Sequence, residues 1–414
     1  MEQPVRDLAE LAPQQLDLLV QRLRLRRGAA ATDRIPLQSR DAGDFPLSFA
    51  QERLWFLDRL EPGSAAYNVA VAMTLEGDLD VPALAASLLD VAQRHEVLRT
   101  VFRDRDGLPV QVPLLRAAVP ALVVDLLALP PRQRRAEIGR LSREEGRRPF
   151  DLTRGPLLRA LLARTGAAEH ELVLVLHHIV ADGWSCGVLV DEVGTFYGAR
   201  RSGAPSVLAE LPVQYLDFAV WQRGRMRGET LESHLAFWRQ TLGGGNGGAL
   251  DLPFDRPPSP ALGQRGAYRL LELPPGLAAG LRALAERCGV TPFIVLLAAF
   301  CAALGRWTGQ DDLVVASPVA NRSRSEIERL VGFFVNTMPL RLDLAGDPTL
   351  LELLSRARAV VAAASEHQEL PFEKLVQELN PDRGPGRSPL ARVMLSVQPA
   401  PPAFELAGLR LRWR

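Results

Sequence analysis

Two adjacent histidines, His177 and His178, with Asp182 and Gly183 after them in the run HHIVADGWS, form the densest group of chemically capable side chains in this sequence. Histidine handles protons near neutral pH and can serve as a base or as a hydrogen-bond donor. The pair closes ELVLVLHH, an apolar run too short for a typical helix and suited to a strand buried on both faces. Strand neighbours point to opposite faces, so one imidazole can face a cleft while the other faces the core. The same alternation keeps the two rings from converging on one ion, and the spacing differs from HExxH, so no metal site is expected. Asp182 stands where it could orient a histidine or pair with an arginine. Gly183 permits a backbone turn that other residues resist. The plainer alternative is a pair of satisfied core histidines beside a turn acid.

The flanking elements must hold this run in place. SFAQERLWFLDRL repeats its apolar residues at helical spacing, and DVPALAASLLDVAQRHEVLRTVF reads as a helix running into a strand. SCGVLVDEVGTFYGARR after the histidines predicts a helix with Ser185 as N-cap and Gly203 just past its end. Residues 243–266 are dense in Gly and Pro and predict an exposed crossing between two lobes. Beyond them, LPPGLAAGLRALAERCG and TPFIVLLAAFCAALGRW predict two helices, the second capped by Thr291 with Pro292 in its first turn. DDLVVASPVA and TMPLRLDL predict strands. Residues 1–40 read as a separable helix and linker that connects modules or docks a partner.

Composition narrows the function. The 414 residues carry 49 basic and 48 acidic side chains, a net charge of +1, which argues against nucleic-acid binding driven by phosphate neutralisation. All basic residues but Lys374 are arginine. Cys186, Cys288 and Cys301 form no CxxC pair, so neither a zinc ribbon nor a disulfide framework is expected. Free thiols fit a reducing cytoplasm. The charged start MEQPVRDLAE is no signal peptide. The longest apolar run, 293–304, is short of the roughly 20 residues that cross a bilayer, so no membrane association is expected.

HHIVADGWS resembles the HHxxxDG signature of the condensation domains of nonribosomal peptide synthetases. Further segments resemble other motifs of that family in the same order: SFAQERLWFLDRLEPGSAAYNV, RHEVLRTVF, YLDFAVWQ, VGFFVNTMPLR and HQELPFEKLVQEL. The likeness runs from about residue 41 to 400. It implies a mixed α/β (α+β) fold of two lobes, each like a chloramphenicol acetyltransferase protomer, in a V-shaped pseudo-dimer. The lobes would span 41–225 and 226–414. The implied reaction is peptide-bond formation between a donor aminoacyl or peptidyl thioester and the amine of an acceptor aminoacyl thioester. Both substrates would ride on 4'-phosphopantetheine arms of donor and acceptor carrier protein domains, with an adenylation domain nearby and no bound cofactor or metal.

The resemblance assigns the chemistry to His178, as general base or as a group that orients the amine and stabilises the tetrahedral intermediate. His177 would be structural. Asp182 would pair with Arg99 of RHEVLRT. Gly183 would leave room for substrate, Trp184 would complete the motif, and Asn336 of FFVNT would be a cleft residue. SFAQERLWFL and DGWS resemble domains that join an L-configured donor to an L-configured acceptor. The seventh motif is imperfect, with Ala391 and Arg392 in RSPLARVMLSVQ, and the sequence stops where the family continues for several tens of residues, so an incomplete second lobe is expected. The competing functions are a stand-alone acyltransferase acting on a free acceptor and an inactive lobe pair that only binds carriers.

Overall fold

The computed structural model describes residues 34–243, 250–255, 266–379, 390–398 and 405–413. The helix expected near the N-terminus, much of the Gly- and Pro-rich crossing, and 387–389 of the seventh motif lie outside the described residues. The chain divides into two compact units, one within Ala29–Arg227, Arg322–Val335 and Ala400–Arg414, the other within Gly228–Asn321 and Asn336–Pro399. Two segments that a linear division gives to the second lobe, 322–335 and 405–413, thus belong with the first.

In the first unit a small sheet is ordered β1 (Phe45–Pro46), β4 (Leu108–Pro113), β3 (Thr100–Arg105). The larger sheet runs β10 (Glu405–Leu406), β11 (Leu409–Trp413), β2 (Asn68–Glu76), β7 (Glu169–His177), β6 (Leu158–Gly166), β5 (Ala121–Asp125). Its pairs are antiparallel except β5 with β6. The chain thus returns after the second unit to pair Leu411 with Leu75 at the side of β2 away from β7.

Register explains the apolar composition of β7. Met73 lies opposite Leu172 and Val71 opposite Leu174 on one face, while Ala70 opposes Val175 and Asn68 opposes His177 on the other. α2 (Val81–Arg94) and α4 (Gly183–Ser202) cover the first face, where Leu84, Val190 and Val193 meet Met73, Leu75, Leu172 and Leu174. α3 (Pro131–Arg147) packs on β2, β6 and β7 from the second face, with Gly146 against Ala70. A strand covered on both faces needs no polar alternation, so ELVLVL is buried throughout. α1 (Phe49–Leu60) begins with a capping box between Ser48 and Gln51.

α4 starts earlier than the sequence suggests. Its N-cap is Asp182, whose Oδ1 accepts the Ser185 amide at 2.8 Å, and Ser185 lies inside the first turn. Aspartate caps as well as serine does, and Asp182 has the extended backbone the position requires. Gly203 closes the helix in the left-handed region at φ 69°. α5 (Tyr215–Arg225) and the short α9 (Ser325–Glu328) complete the unit.

The second unit contains α6 (Gly228–Leu242), α7 (Pro275–Cys288), α8 (Pro292–Thr308), α10 (Leu350–Glu366) and α11 (Phe372–Leu379) around the antiparallel pair β8 (Asp312–Val319) and β9 (Asn336–Asp343). Thr291 caps α8, and Pro292 occupies its first turn. Part of the seventh motif runs beside β8, with Leu395 N donating to Ala316 O and Ala316 N to Val393 O, both at 2.9 Å. No single helix among the described residues is long and apolar enough to cross a membrane, and α7 and α8 are bent by 105°.

Candidate active site

β7 ends at His177, and His178–Val180 forms a single 3-10 turn leading to Asp182. His177 remains on the face covered by α3, with Phe150 edge-on at 6.1 Å. Its Nδ1 accepts the Ile179 amide at 3.1 Å, which places the ring proton on Nε2. Burial, and then the neighbouring charge of His178, push its pKa down to about 4. His177 is a neutral cap for the turn.

The backbone of His178 is fixed by its N–H, which donates to Tyr67 O at 2.8 Å. Its ring packs against Phe333, with centroids 4.7 Å apart and planes tilted by 58°. The two histidines therefore have different surroundings. The His178 ring is half-buried, and its Nδ1 is buried with no hydrogen-bond partner. A buried orphan N–H is rarer than a buried orphan acceptor, so we assign the proton to the other nitrogen. Nε2–H is then the donor of the ring, on the nitrogen that is not among the buried atoms without a partner. Beside the turn, a Cβ added to Gly183 would meet nothing within 4 Å, so this side of the helix start is open.

The segment 322–335 fixes the rest. Arg322 and Asp182 form a buried ion pair at 3.2 Å, with side chains 0% and 3% exposed. Arg322 Nη1 donates to Ile327 O at 2.6 Å and Leu330 O at 2.7 Å, and Nη2 donates to Ser185 Oγ at 2.8 Å. Its guanidinium lies 4.2 Å from the Phe334 ring centroid. Desolvation lowers the Arg322 pKa against the opposing pull of Asp182, yet a guanidinium stays charged. Asp182 Oδ2 accepts the Phe334 amide at 3.0 Å. Ser185 Oγ accepts the Gly332 amide at 3.0 Å, and its single proton serves Asp182 or Gly332 O. Tyr215 donates its hydroxyl to Phe333 O at 2.6 Å. A Cβ on Gly332 would stand 2.1 Å from the Tyr215 ring, so only glycine fits there. Trp184 Nε1 donates to Glu328 O at 2.9 Å.

A second buried group holds the same segment. His95 Nδ1 accepts the Val331 amide at 3.3 Å, and its Nε2–H faces Glu192 at 2.8 Å. Burial keeps His95 below its ordinary pKa. Burial also pushes the Glu192 carboxyl up, but hydrogen bonds from His95 and Arg94 and their charges outweigh it and hold it below the usual range.

Two expectations need correction. Arg99 does not pair with Asp182. It donates to Leu114 O, donates to Gln93 O at 3.3 Å and lies 3.5 Å from Glu96, tying the end of α2 to the loop after β4. The arginine that meets Asp182 is Arg322, from ASPVANRSRSEIERL, which sequence order places 140 residues away. Asn336 is not an open cleft residue. It is 8% exposed; its Nδ2 donates to Gln368 O and Leu370 O, both at 2.7 Å, and its Oδ1 accepts the Phe372 amide at 3.0 Å. It braces the start of β9 against the loop before α11. Arg322, Ser185, Tyr215, His95 and Glu192 were missed as site-forming residues. Ser185, Glu192 and Tyr215 stand in helices with many apolar neighbours, a weak signal, whereas Arg322 in NRSRSE and His95 between Arg94 and Glu96 are surrounded by polar residues and carry none.

The family model for the condensation domain matches residues 41–407. The chain belongs to the condensation domain family. The domain is similar to the chondramide synthase of Chondromyces crocatus, 46% identical over 375 residues, covering 90% of this chain and 10% of that protein. It is also similar to the phosphinothricin tripeptide synthetase PhsC of Streptomyces viridochromogenes, 41% identical over 402 residues, covering 97% of this chain and 37% of that protein. The chain thus spans a small part of the relatives it matches. Among solved structures, the X-domain in complex with OxyB from teicoplanin biosynthesis is 31% identical with a TM-score of 0.78, covering 94% of this chain and 84% of that one. The first condensation domain of the calcium-dependent antibiotic synthetase shares the fold, with a TM-score of 0.74 at 23% identity over 89% of this chain and 84% of that one. The condensation domain family catalyses amide-bond formation, an acyltransferase-type reaction.

Proposed function

We propose that this condensation domain forms a peptide bond between an acyl thioester on one carrier protein domain and the amine of an aminoacyl thioester on a second, both held on phosphopantetheine arms, within a synthetase that also contains an adenylation domain. The observation that carries the reading is the state of His178: Nδ1 is buried and bare, which leaves Nε2–H as the donor, beside the open side of Gly183. The amine nitrogen attacks the thioester carbon, a C–N bond forms, and the carbonyl oxygen takes the negative charge. Nε2–H donates to the developing tetrahedral intermediate and orients the amine, which needs positioning more than deprotonation once it is neutral. Collapse breaks the C–S bond. The thiolate takes the proton lost by nitrogen, so the products are an amide and a free pantetheine thiol. Asp182, Arg322 and Ser185 perform no chemistry. They hold Phe333 against the ring. We read the donor and acceptor as L-configured, from SFAQERLWFL and DGWS, and the three free thiols suit a cytoplasmic location.

The test offers a donor aminoacyl-carrier thioester and an aminoacyl-pantetheine acceptor to wild type and His178→Ala, with dipeptide read by mass spectrometry. Product from wild type that falls about a hundredfold in the variant supports the reading. Equal product from both removes His178 from the chemistry. No product from wild type, across carriers that load normally, refutes peptide-bond formation by this domain.

A further inference from the structure

α3 and the residue after it carry seven arginines (132, 134, 135, 140, 143, 147 and 148) against three glutamates (137, 144 and 145). The segment is therefore +4 in a chain whose net charge is +1, so everything else sums to −3. The helix is fixed by one face, on which Ile138 is buried and Leu141 half-buried. Arg140, Arg143 and Arg147, spaced i, i+3, i+7, line the opposite face and are exposed. With Glu144 and Arg148 they surround a surface hollow of about 390 Å³. Arg140 is occupied by Glu137 at 2.6 Å and Glu144 at 2.5 Å. Arg143 and Arg147 make no ion pair or hydrogen bond among the described residues, so their charge is available to a partner.

The stripe also has a defined place in the sheet. Asn68 lies opposite His177 in the β2–β7 register, and its Nδ2 donates to Gly146 O at 2.8 Å and Arg148 O at 2.9 Å. The C-terminal end of α3 is thereby pinned to the end of the sheet at which β7 gives way to His178.

Building on the proposed reaction, we propose that the Arg140–Arg143–Arg147 face of α3 is a docking surface for the acidic face of a thioester-bearing carrier domain. A partner must approach the protein repeatedly and leave quickly. Exposed charges of opposite sign steer such encounters and strengthen them without a large apolar interface. A field of +4 concentrated on one helix in a nearly neutral protein selects an anionic partner, and the location beside the His178 end of β7 fits a partner that must deliver a tethered substrate there.

The experiment measures binding directly, without turnover. A fluorescein-labelled, phosphopantetheine-loaded carrier domain is titrated with wild type, Arg143→Glu/Arg147→Glu, and the matched control Arg103→Glu/Arg116→Glu. The control residues are exposed, and neither lies on α3. The expected result is about tenfold weaker binding for the α3 variant, a shallower salt dependence, and no change for the control. Dipeptide formation from soluble aminoacyl-pantetheine thioesters should be unchanged in the α3 variant. Equal binding by all three proteins, or no binding by wild type, overturns the docking surface. Loss of activity on soluble thioesters also overturns it, since the effect is then structural. Failure of the peptide-forming reaction itself would leave the binding result standing.

Discussion

Replacing Arg322 tests the construction of the site most directly. Arg322→Met removes charged hydrogen bonds to Ile327 O and Leu330 O and strands the Asp182 carboxylate, whose side chain is 3% exposed. Hydrogen bonds to a charged group contribute about 1.5–3 kcal/mol each. Breaking a buried pair from one side costs about 3–5 kcal/mol in all, because the remaining charge has no way back to water. Asp182 keeps three donors, Ser185 N, Ser185 Oγ and Phe334 N, so the loss should fall near the lower end of that range. Arg99→Gln should cost about 1 kcal/mol or less, since Arg99 is half-buried and holds only local carbonyls and Glu96. Urea unfolding followed by circular dichroism would read both, and a double-mutant cycle with Asp182→Asn would separate them. We expect a coupling of about 2 kcal/mol between positions 182 and 322 and within about 0.5 kcal/mol of zero between 182 and 99. A coupling to Arg99 that exceeds the coupling to Arg322 would refute the assignment of the ion pair.

His177 should make the protein acid-sensitive in a defined window. Its folded pKa of about 4 lies below the ordinary 6.5, so the unfolded chain binds the proton first. Its contribution is complete above pH 6.5 and is lost as pH falls toward 4, at about 1.4 kcal/mol per unit and about 3 kcal/mol in total. His177→Asn should flatten the stability profile between these limits, and parallel profiles would dismiss the effect. His178→Gln, which keeps an N–H donor but is no base near neutral pH, should retain at least about tenfold more activity than His178→Ala. Equal loss in both would favour a base. Asn336→Ala should cost about 2–3 kcal/mol by leaving the Gln368 and Leu370 carbonyls and the Phe372 amide unpaired, with kcat per folded molecule unchanged. A selective fall in kcat would return Asn336 to the site.

The tautomer of His178 shows where chain order stops being informative. The motif names the residue, but base and donor roles differ by one proton. That proton is located by the burial of Nδ1 and the lack of a partner for it. Phe333, which flanks the ring, comes from a segment that the sequence joins to strands of the other unit.

The sequence by itself determined the local elements and the reactive run. Ser48 with Gln51, and Thr291 with Pro292, announce helix starts, because caps satisfy backbone donors within a few residues. ELVLVL announces a doubly covered strand, because burial on both faces removes the need for alternation. These are short-range requirements, visible in any window that contains them. Only the tertiary structure decided that Asp182 meets Arg322 and not Arg99, that Asn336 is a brace, and that 322–335 and 409–413 fold into the first unit. Each depends on which residues arrive together from more than 30 positions apart. A charge or amide shows what it can bond to, but in a chain whose 49 basic residues face 48 acidic ones its type leaves the partner open until packing excludes the rest.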